Sequence, residues 1–460
     1  MLPWIFLALF AIAHALESWE NVHYHRSVDL SKSYVRELCL VEAKNTGDTP
    51  QDTYIFRVND GMDAVPEVAS VGGVLIDQRL ALAVSEQEAG VYSVKFPFPV
   101  APASSVEFEV FYAYTNTLVP LPEKIEMADR QMLLLKTNKL PYSDYKTSEY
   151  SLAFRGFSVG QELDLQPSTP VSPDLPHLSG HVDKDAQALT YGPQIVDVPP
   201  LSVSPMGLLY EHNKPVSRVV TLERSVWVPG SDVGVVQTED YYELYNNGAQ
   251  LKSGYSRVEW LKGRFDLVRD HHALSRLEFP IGDRDPLENY YFTDKVGKVS
   301  SVSEVPGHVV FQPRFPLFGG WKYNFTMGWT NGIANFVRRV DEDTYVAQFP
   351  LVSNLRDIYY DNVSVSVLLP ENAEVIDVQS TVPSTSSVGR ELSYLDVADG
   401  HVKVTLHFRN LQDSHSASTV LVKYRYTAQS FWKKVGTIAA WVFTALASYY
   451  ALGLLDLSVN

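Results

Sequence analysis

The 460-residue chain has one cysteine, Cys39. No intrachain disulfide and no cysteine-based metal site can form. Cys39 sits in Leu38-Cys39-Leu40, with only Arg36 as nearby positive charge. It reads as a small buried hydrophobe, because a reactive thiol needs exposure and cationic neighbours. Charge is also scarce, at 20% of residues, and the formal net charge is −16. That sign argues against a nucleic-acid backbone or an anionic membrane surface as the main partner. H-E-x-x-H, P-loop and dinucleotide-binding fingerprints are missing. His271-His272 is the only adjacent histidine pair. On a strand its two rings face opposite ways and do not chelate one ion. Glu239 with Asp240, and Asp283 with Asp285, lie in polar, loop-like settings and read as solvated surface charge. Gly156-Phe157-Ser158-Val159-Gly160 fits the G-x-S-x-G nucleophile pattern, yet Pro167 arrives before the helix that an elbow requires. No catalytic residue, cofactor or metal ligand is therefore assigned.

What is present begins at the two ends. Val435 to Leu455 holds no charged residue. At 1.5 Å per residue it reaches about 31 Å, close to the hydrocarbon thickness of a bilayer. Only a helix satisfies its own backbone there. Small residues (Gly436, Ala439, Ala440, Ala445, Ala447 and Gly453) allow another helix to approach. Leu2 to Ala13 is a shorter apolar run closed by Ala13-His14-Ala15, the pattern of a signal peptide over residues 1–15. The expected topology is a single-pass type I chain, with its bulk in the lumen of the endoplasmic reticulum and residues 456–460 in the cytosol. Lys433 and Lys434 on the lumenal flank oppose the positive-inside bias, but a long domain led by a signal crosses largely regardless of charge. A lipid anchor attached near Ser416-Ala417-Ser418 is the competing reading.

The body between these ends reads as mainly β. Val402, Val404, Leu406 and Phe408 alternate with polar residues, as do Val420, Val422, Tyr424 and Tyr426. Period two is the mark of half-buried strands. Proline crowds Gln166 to Pro205, which predicts an irregular excursion and a domain boundary near residue 200. The expected architecture is two lumenal β-sandwich-like domains, 16–200 and 201–430, followed by one transmembrane helix. Arg26-Ser27-Val28 before Asn45-Thr46-Gly47, and Arg224-Ser225-Val226 before Asn246-Asn247-Gly248, suggest a repeated hairpin. The short match fits duplication and coincidence nearly equally. Asn324-Phe325-Thr326 and Asn362-Val363-Ser364 are N-glycosylation sequons, with Asn324 and Asn362 as acceptors.

The least ordinary stretch is Pro313 to Trp329, where aromatics and prolines surround Gly319-Gly320. It reads either as a tightly packed corner or as an aromatic interface. Within it, Arg314, Phe315, Pro316, Leu317, Phe318, Gly319, Gly320 and Trp321, followed by Lys322, resemble the hallmark of the ribophorin I family. Tyr290-Tyr291-Phe292-Thr293-Asp294-Lys295-Val296-Gly297-Lys298-Val299-Ser300 resembles its companion motif. The resemblance implies a subunit of the oligosaccharyltransferase complex, which moves a preassembled oligosaccharide from dolichyl diphosphate to Asn in N-x-S/T. It implies that chemistry and metal belong to another, multi-spanning subunit. This chain would then be a non-catalytic scaffold that helps present nascent translocating polypeptides, with the other subunits and the membrane as partners. The short tail is similar to the fungal form. The competing classes are a membrane-anchored hydrolase using Ser158 and an adhesion or receptor ectodomain.

Overall fold

The computed structural model describes residues 19–453 except 59–60, 63–66, 158, 166–177, 179, 184–187, 231–233, 266–270, 282–286, 394–395 and 397–399. The signal peptide, the tail 456–460, Ser158, Asp283 and Asp285 lie outside the described residues. As the alternating patterns require, the body is built of strands. The first part of the chain forms β1 (Trp19–Asp29), β2 (Val35–Asn45), β3 (Gln51–Arg57), β4 (Glu67–Leu75), β5 (Leu80–Glu88), β6 (Val91–Val100), β7 (Ser105–Thr115) and β8 (Val119–Pro120). β9 (Lys124–Ile125), β10 (Met132–Asn138), β11 (Thr147–Arg155), β12 (Gly160–Asp164), β13 (Gly180–Asp183), β14 (Ala188–Val198) and β15 (Pro205–Glu211) follow.

The second part forms β16 (Ser217–Trp227), β17 (Val235–Asn246), β18 (Gln250–Leu251), α1 (Arg257–Phe265), β19 (Leu277–Pro280), β20 (Glu288–Asp294), β21 (Gly297–Lys298), β22 (Val302–Val305) and β23 (His308–Phe311). It continues with β24 (Lys322–Gly332), β25 (Val337–Arg339), β26 (Thr344–Pro350), β27 (Ile358–Leu369), β28 (Glu374–Ser380), β29 (Thr385–Glu391), β30 (His401–Gln412), β31 (Thr419–Arg425) and α2 (Ala428–Gly453). One hydrophobic core draws on residues from Trp19 to Val216, a second on residues from Val219 to Tyr424.

The two cores share one wiring plan. In the first module the large sheet runs β13-β14-β11-β1-β2-β7-β4, continuing to β5, β6 and β3. In the second it runs β29-β30-β27-β16-β17-β24-β20, ending at β21. Each parallel pair falls at the same place, β1 with β11 and β16 with β27. The facing small sheets match as well, β12-β15-β10-β8 against β28-β31-β26-β25. Even the irregularities coincide. The β1–β2 register shifts between Asn21 and His23, and the β16–β17 register shifts between Val219 and Thr221. A bulge moves the buried phase by one residue, so Tyr24, Arg26 and Val28 face one core and Leu222, Arg224 and Val226 the other. The repeated hairpin thus opens two modules of the same strand wiring.

Each repeated arginine enters its core with a carboxylate. Arg26 pairs with Glu37 at 2.6 and 2.8 Å and reaches the carbonyl of Asn138, the last residue of β10, at 2.7 Å. Arg224 pairs with Asp240 at 2.7 and 2.6 Å and reaches the carbonyl of Pro350, the last residue of β26, at 2.9 Å. Each guanidinium therefore ties its large sheet to its small one. Burial would lift the Glu37 carboxyl, but the Arg26 charge and the hydroxyls of Tyr112 and Tyr114 hold it below the usual range. Asp240, read from the sequence as surface charge, is fully buried. Its partner lies across a strand pair, where local polarity gives no warning.

Residues 166–177 of the proline-rich stretch, with four of its prolines, lie outside the described residues, but its second half differs from expectation. β14 is an ordered strand with β13 on one side and β11 on the other. Pro193 is tolerated because the β11–β14 register slips around it, between Tyr191 and Gln194. Pro205 opens β15, where its missing N–H matters least.

Candidate functional site

The family motif forms a packed corner where the two modules meet. Pro316, Leu317, Phe318 and Gly319 are buried, Gly320 and Trp321 are half-buried, and Arg314, Phe315 and Lys322 stand out. Asn246, at the end of β17, organises the turn. Its side-chain amide donates to the carbonyls of His272 at 2.8 Å and Leu317 at 2.9 Å. Its backbone carbonyl accepts from the Gly320 N–H at 2.8 Å. Gly320 adopts φ +81°, a left-handed conformation that glycine takes without cost. Gly319 lies flat on the β17–β18 turn, and any Cβ there would overlap the carbonyl oxygens of Gly248 and Ala249.

Phe318 fills the pocket so formed. The rings of Trp260, His271, His272 and Trp321 surround it at 5.6 to 5.8 Å between centroids, and Met127 comes from the first module. The imidazoles of His271 and His272 stack at 4.3 Å. The expectation that they face opposite ways fails because residues 271–274 form a bend and an isolated bridge, not a continuous strand. Burial pushes the His272 imidazole down to about 4, helped by His271. His212, also at this junction, is pushed down to about 4 by burial and by Lys214.

The companion motif is joined to this corner in space. It forms the β20–β21 hairpin, whose turn is closed by Asp294 accepting from the N–H groups of Val296 at 2.9 Å and Gly297 at 3.1 Å. Arg314 clamps that turn, pairing with Asp294 at 2.5 Å and donating to the carbonyls of Gly297 and Lys298 at 3.1 Å. The Tyr323 hydroxyl completes the set on Asp294 at 3.0 Å. The two sequence blocks are one structural unit.

That unit also fastens the modules together. β9 of the first module pairs in parallel with β18 of the second. Gln131 donates to the carbonyls of His212 and Lys214 at 2.9 Å and accepts from the Ala249 N–H at 2.8 Å. A second weld lies at the β1–β2 turn. Lys32 pairs with Asp413 at 2.5 Å, Ser33 donates to the Asp357 carbonyl at 2.6 Å, and Tyr34 donates to Asp413. An open cleft of about 1410 Å³ runs between these welds, walled on one side by Pro313 to Pro316. Gln131 carried no sequence signal. Asn246 had one, its Asn-Asn-Gly turn.

The membrane end is fastened too. Thr427 caps α2, its hydroxyl accepting from the Ser430 N–H at 3.1 Å. Lys434 pairs with Asp396 at 2.8 Å and approaches Glu371 at 3.4 Å, both carboxylates being closed off from solvent. Burial works against the Asp396 anion, but Lys434 and His401 hold its carboxyl at about 2. Beyond this latch α2 runs free of the body, with Trp441, Phe443 and Leu446 more than 60% exposed. The helix is long and apolar enough to span a membrane.

The sequon asparagines lie away from the corner, on the outer face of the second large sheet. Asn362 is exposed, and Asn324 is half-buried, donating to the Tyr241 hydroxyl at 2.9 Å. Among the described residues no group of three or more histidine, cysteine, aspartate or glutamate side chains could hold a metal ion.

Comparison with known proteins gives a consistent picture. The family model described as Ribophorin I matches residues 19–453. Dolichyl-diphosphooligosaccharide–protein glycosyltransferase subunit 1 of Caenorhabditis elegans is 26% identical over 419 residues, covering 89% of this chain and 68% of its own. The subunit 1 of Schizosaccharomyces pombe is 23% identical over 476 residues, 98% of each chain. Subunit 1B of Arabidopsis thaliana is 24% identical over 434 residues, 90% of this chain and 88% of its own. Among solved structures, an M1 zinc metallopeptidase from Deinococcus radiodurans is 13% identical over 54% of this chain and 52% of its own, at a TM-score of 0.26. That likeness is too slight to bear on fold or chemistry.

Proposed function

The chain belongs to the ribophorin I family, and on that premise we propose that it is a non-catalytic subunit of the oligosaccharyltransferase complex. Its bulk stands in the lumen of the endoplasmic reticulum, and α2 crosses the membrane once. Other subunits, including a multi-spanning catalytic one, are its partners. Its task is to hold the assembly in register and to help present nascent translocating chains. The cleft between the welds offers room for an extended segment.

One observation supports this reading: contacts join the two modules at the motif corner and the second module to the first turns of α2. The modules are welded at Gln131 and at Lys32, and the span is latched to the second module through Lys434. Such a body transmits position, which is what a scaffold needs. The latch also eases half of the charge conflict at the membrane, that of Lys434 and not of Lys433. Lys434 sits on the lumenal flank with its charge matched by Asp396 and Glu371, so it does not act as a free topogenic cation.

The test is affinity purification of the full chain in mild detergent. Recovery with a multi-spanning glycosyltransferase, and transfer activity unaltered by Ser158→Ala, is the expected result. Recovery of the chain alone with hydrolytic or transferase turnover of its own would overturn the proposal.

A further inference from the structure

The two sequons, 38 positions apart in sequence (362 − 324), lie on a single row of the folded sheet. Asn324 on β24 stands opposite Glu243 on β17, Glu243 opposite Thr221 on β16, and Thr221 opposite Asn362 on β27. Directly paired residues share a face of the sheet. At about 4.8 Å between strands, three strand steps place the acceptors roughly 14 Å apart. The flanking residues Phe325 and Val363 point into the core, while Thr326 and Ser364, the third residues of the sequons, return to the outer face. Around the row that face is polar, with Glu223, Tyr241 and Ser364 as neighbours. The same row in the first module holds Glu107, Glu42, His23 and Glu149, the equivalents of Asn324, Glu243, Thr221 and Asn362.

From this placement we propose that Asn324 and Asn362 are both glycosylated, and that the two glycans shield the outer face of the second large sheet from the other subunits. The inference rests on the lumenal placement proposed above. The donor is an oligosaccharide joined through diphosphate to a lipid. The asparagine amide nitrogen bonds to the anomeric carbon as the bond from that carbon to the diphosphate oxygen breaks. The lipid diphosphate leaves with the electron pair, and the amide gives up one proton. At Asn324 the transfer precedes folding, because β24 is later locked between β17 and β20. The N–H that remains can still donate to Tyr241. Subunit contacts then fall on other surfaces of the module.

The test uses the full chain in its membrane. Endoglycosidase treatment shifts the wild-type band by two glycan steps. Asn324→Gln and Asn362→Gln each remove one step, and the double variant removes both. For the shield, Glu223→Cys places a thiol on this face in a chain whose only cysteine, Cys39, is fully buried. The intact complex labels with a maleimide fluorophore on this chain as readily as the detergent-dissociated one. Labelling that appears only after dissociation would make the face a contact surface and overturn the shield. A body protected from protease in sealed microsomes but lacking either glycan would overturn this inference alone. A body digested from the cytosolic side would overturn the lumenal reading beneath it.

Discussion

The two modules repeat one set of strands and diverge in what those strands display. On the outer face of the first, Leu38 and Phe111 stand opposite each other and remain 37% and 43% exposed. The equivalent positions in the second are Glu239 and Gly328, covered by Tyr291, whose hydroxyl bonds Glu239. A few steps along, a row of three glutamates and a histidine in the first becomes a row with two sequon asparagines in the second. Inside, the divergence is small. Both cores keep an arginine on the central strand, a carboxylate on the neighbouring strand and a carbonyl of the small sheet beyond, but Asp240 stands directly opposite Arg224, whereas Glu37 lies two residues from Cys39, the residue opposite Arg26. The shared plan keeps an arginine–carboxylate link between the sheets, while the outer faces differ.

The largest test of that contrast falls on the corner, which only the second module bears. Gly319→Val forces a branched side chain into the backbone of Gly248 and Ala249. We expect folded second module to be lost, read as failure to reach a protease-resistant state. Gly389→Ala, which meets no atom within 4 Å, should change stability by less than about 0.5 kcal/mol. If Gly319→Val instead left the protein folded but absent from the complex, the corner would be an interface and not a keystone.

Next come the paired arginines. Arg26→Met and Arg224→Met each strand a buried carboxylate and should each cost about 3–5 kcal/mol in denaturant titration. Arg224→Met combined with Asp240→Leu should recover most of that loss. A large loss at one site and none at the other would break the equivalence of the modules.

The junction should respond to acid. His212 and His272 titrate near 4 in the fold and near 6.5 when unfolded. The folded state therefore binds fewer protons between those values. Stability is full above about pH 6.5 and falls as pH drops towards 4, by on the order of 3 kcal/mol for each histidine at most. His272→Phe should flatten the curve measured by thermal melting. An unchanged slope would remove His272 from the account.

The smallest expected effect is at the first module's outer row. Glu149→Asn completes an Asn-x-Ser sequon with Ser151, at the position equivalent to Asn362. It removes one half-exposed contact with His23, worth about 0.5 kcal/mol or less. We expect one added glycan step on gels with little change in melting. Absence of that step, with the natural sequons occupied, would separate the two faces in accessibility as well as in composition.

Much of this was legible in the residues. Alternation marked β31 and β30, and an uncharged run marked α2. The nine-residue motif stood out by composition. The shared wiring showed only as Arg-Ser-Val and an Asn-x-Gly turn, because wiring is set by pairings that lie up to about 140 residues apart, such as Ser217 with Ile358 (358 − 217 = 141). Asp240 looked solvated because its partner, Arg224, is sixteen residues away (240 − 224) and faces it only once the hairpin closes. Pro193 looked incompatible with a sheet because a register slip cannot be seen before its neighbour strand is known. That Arg314 would seize the turn of the companion block was equally hidden, since neither stretch announces its distance from the other.

The pin at Lys434 has a consequence inside the bilayer. A rigid helix that is gripped about two turns beyond its cap cannot spin freely on its long axis. Gly436, Ala439 and Ala440 follow within two turns of the grip, so the compass bearing of this slim side is dictated by Asp396 and Glu371. The heading from which a neighbouring span would be met is thus settled in water, above the lipid, by two carboxylates that never enter it.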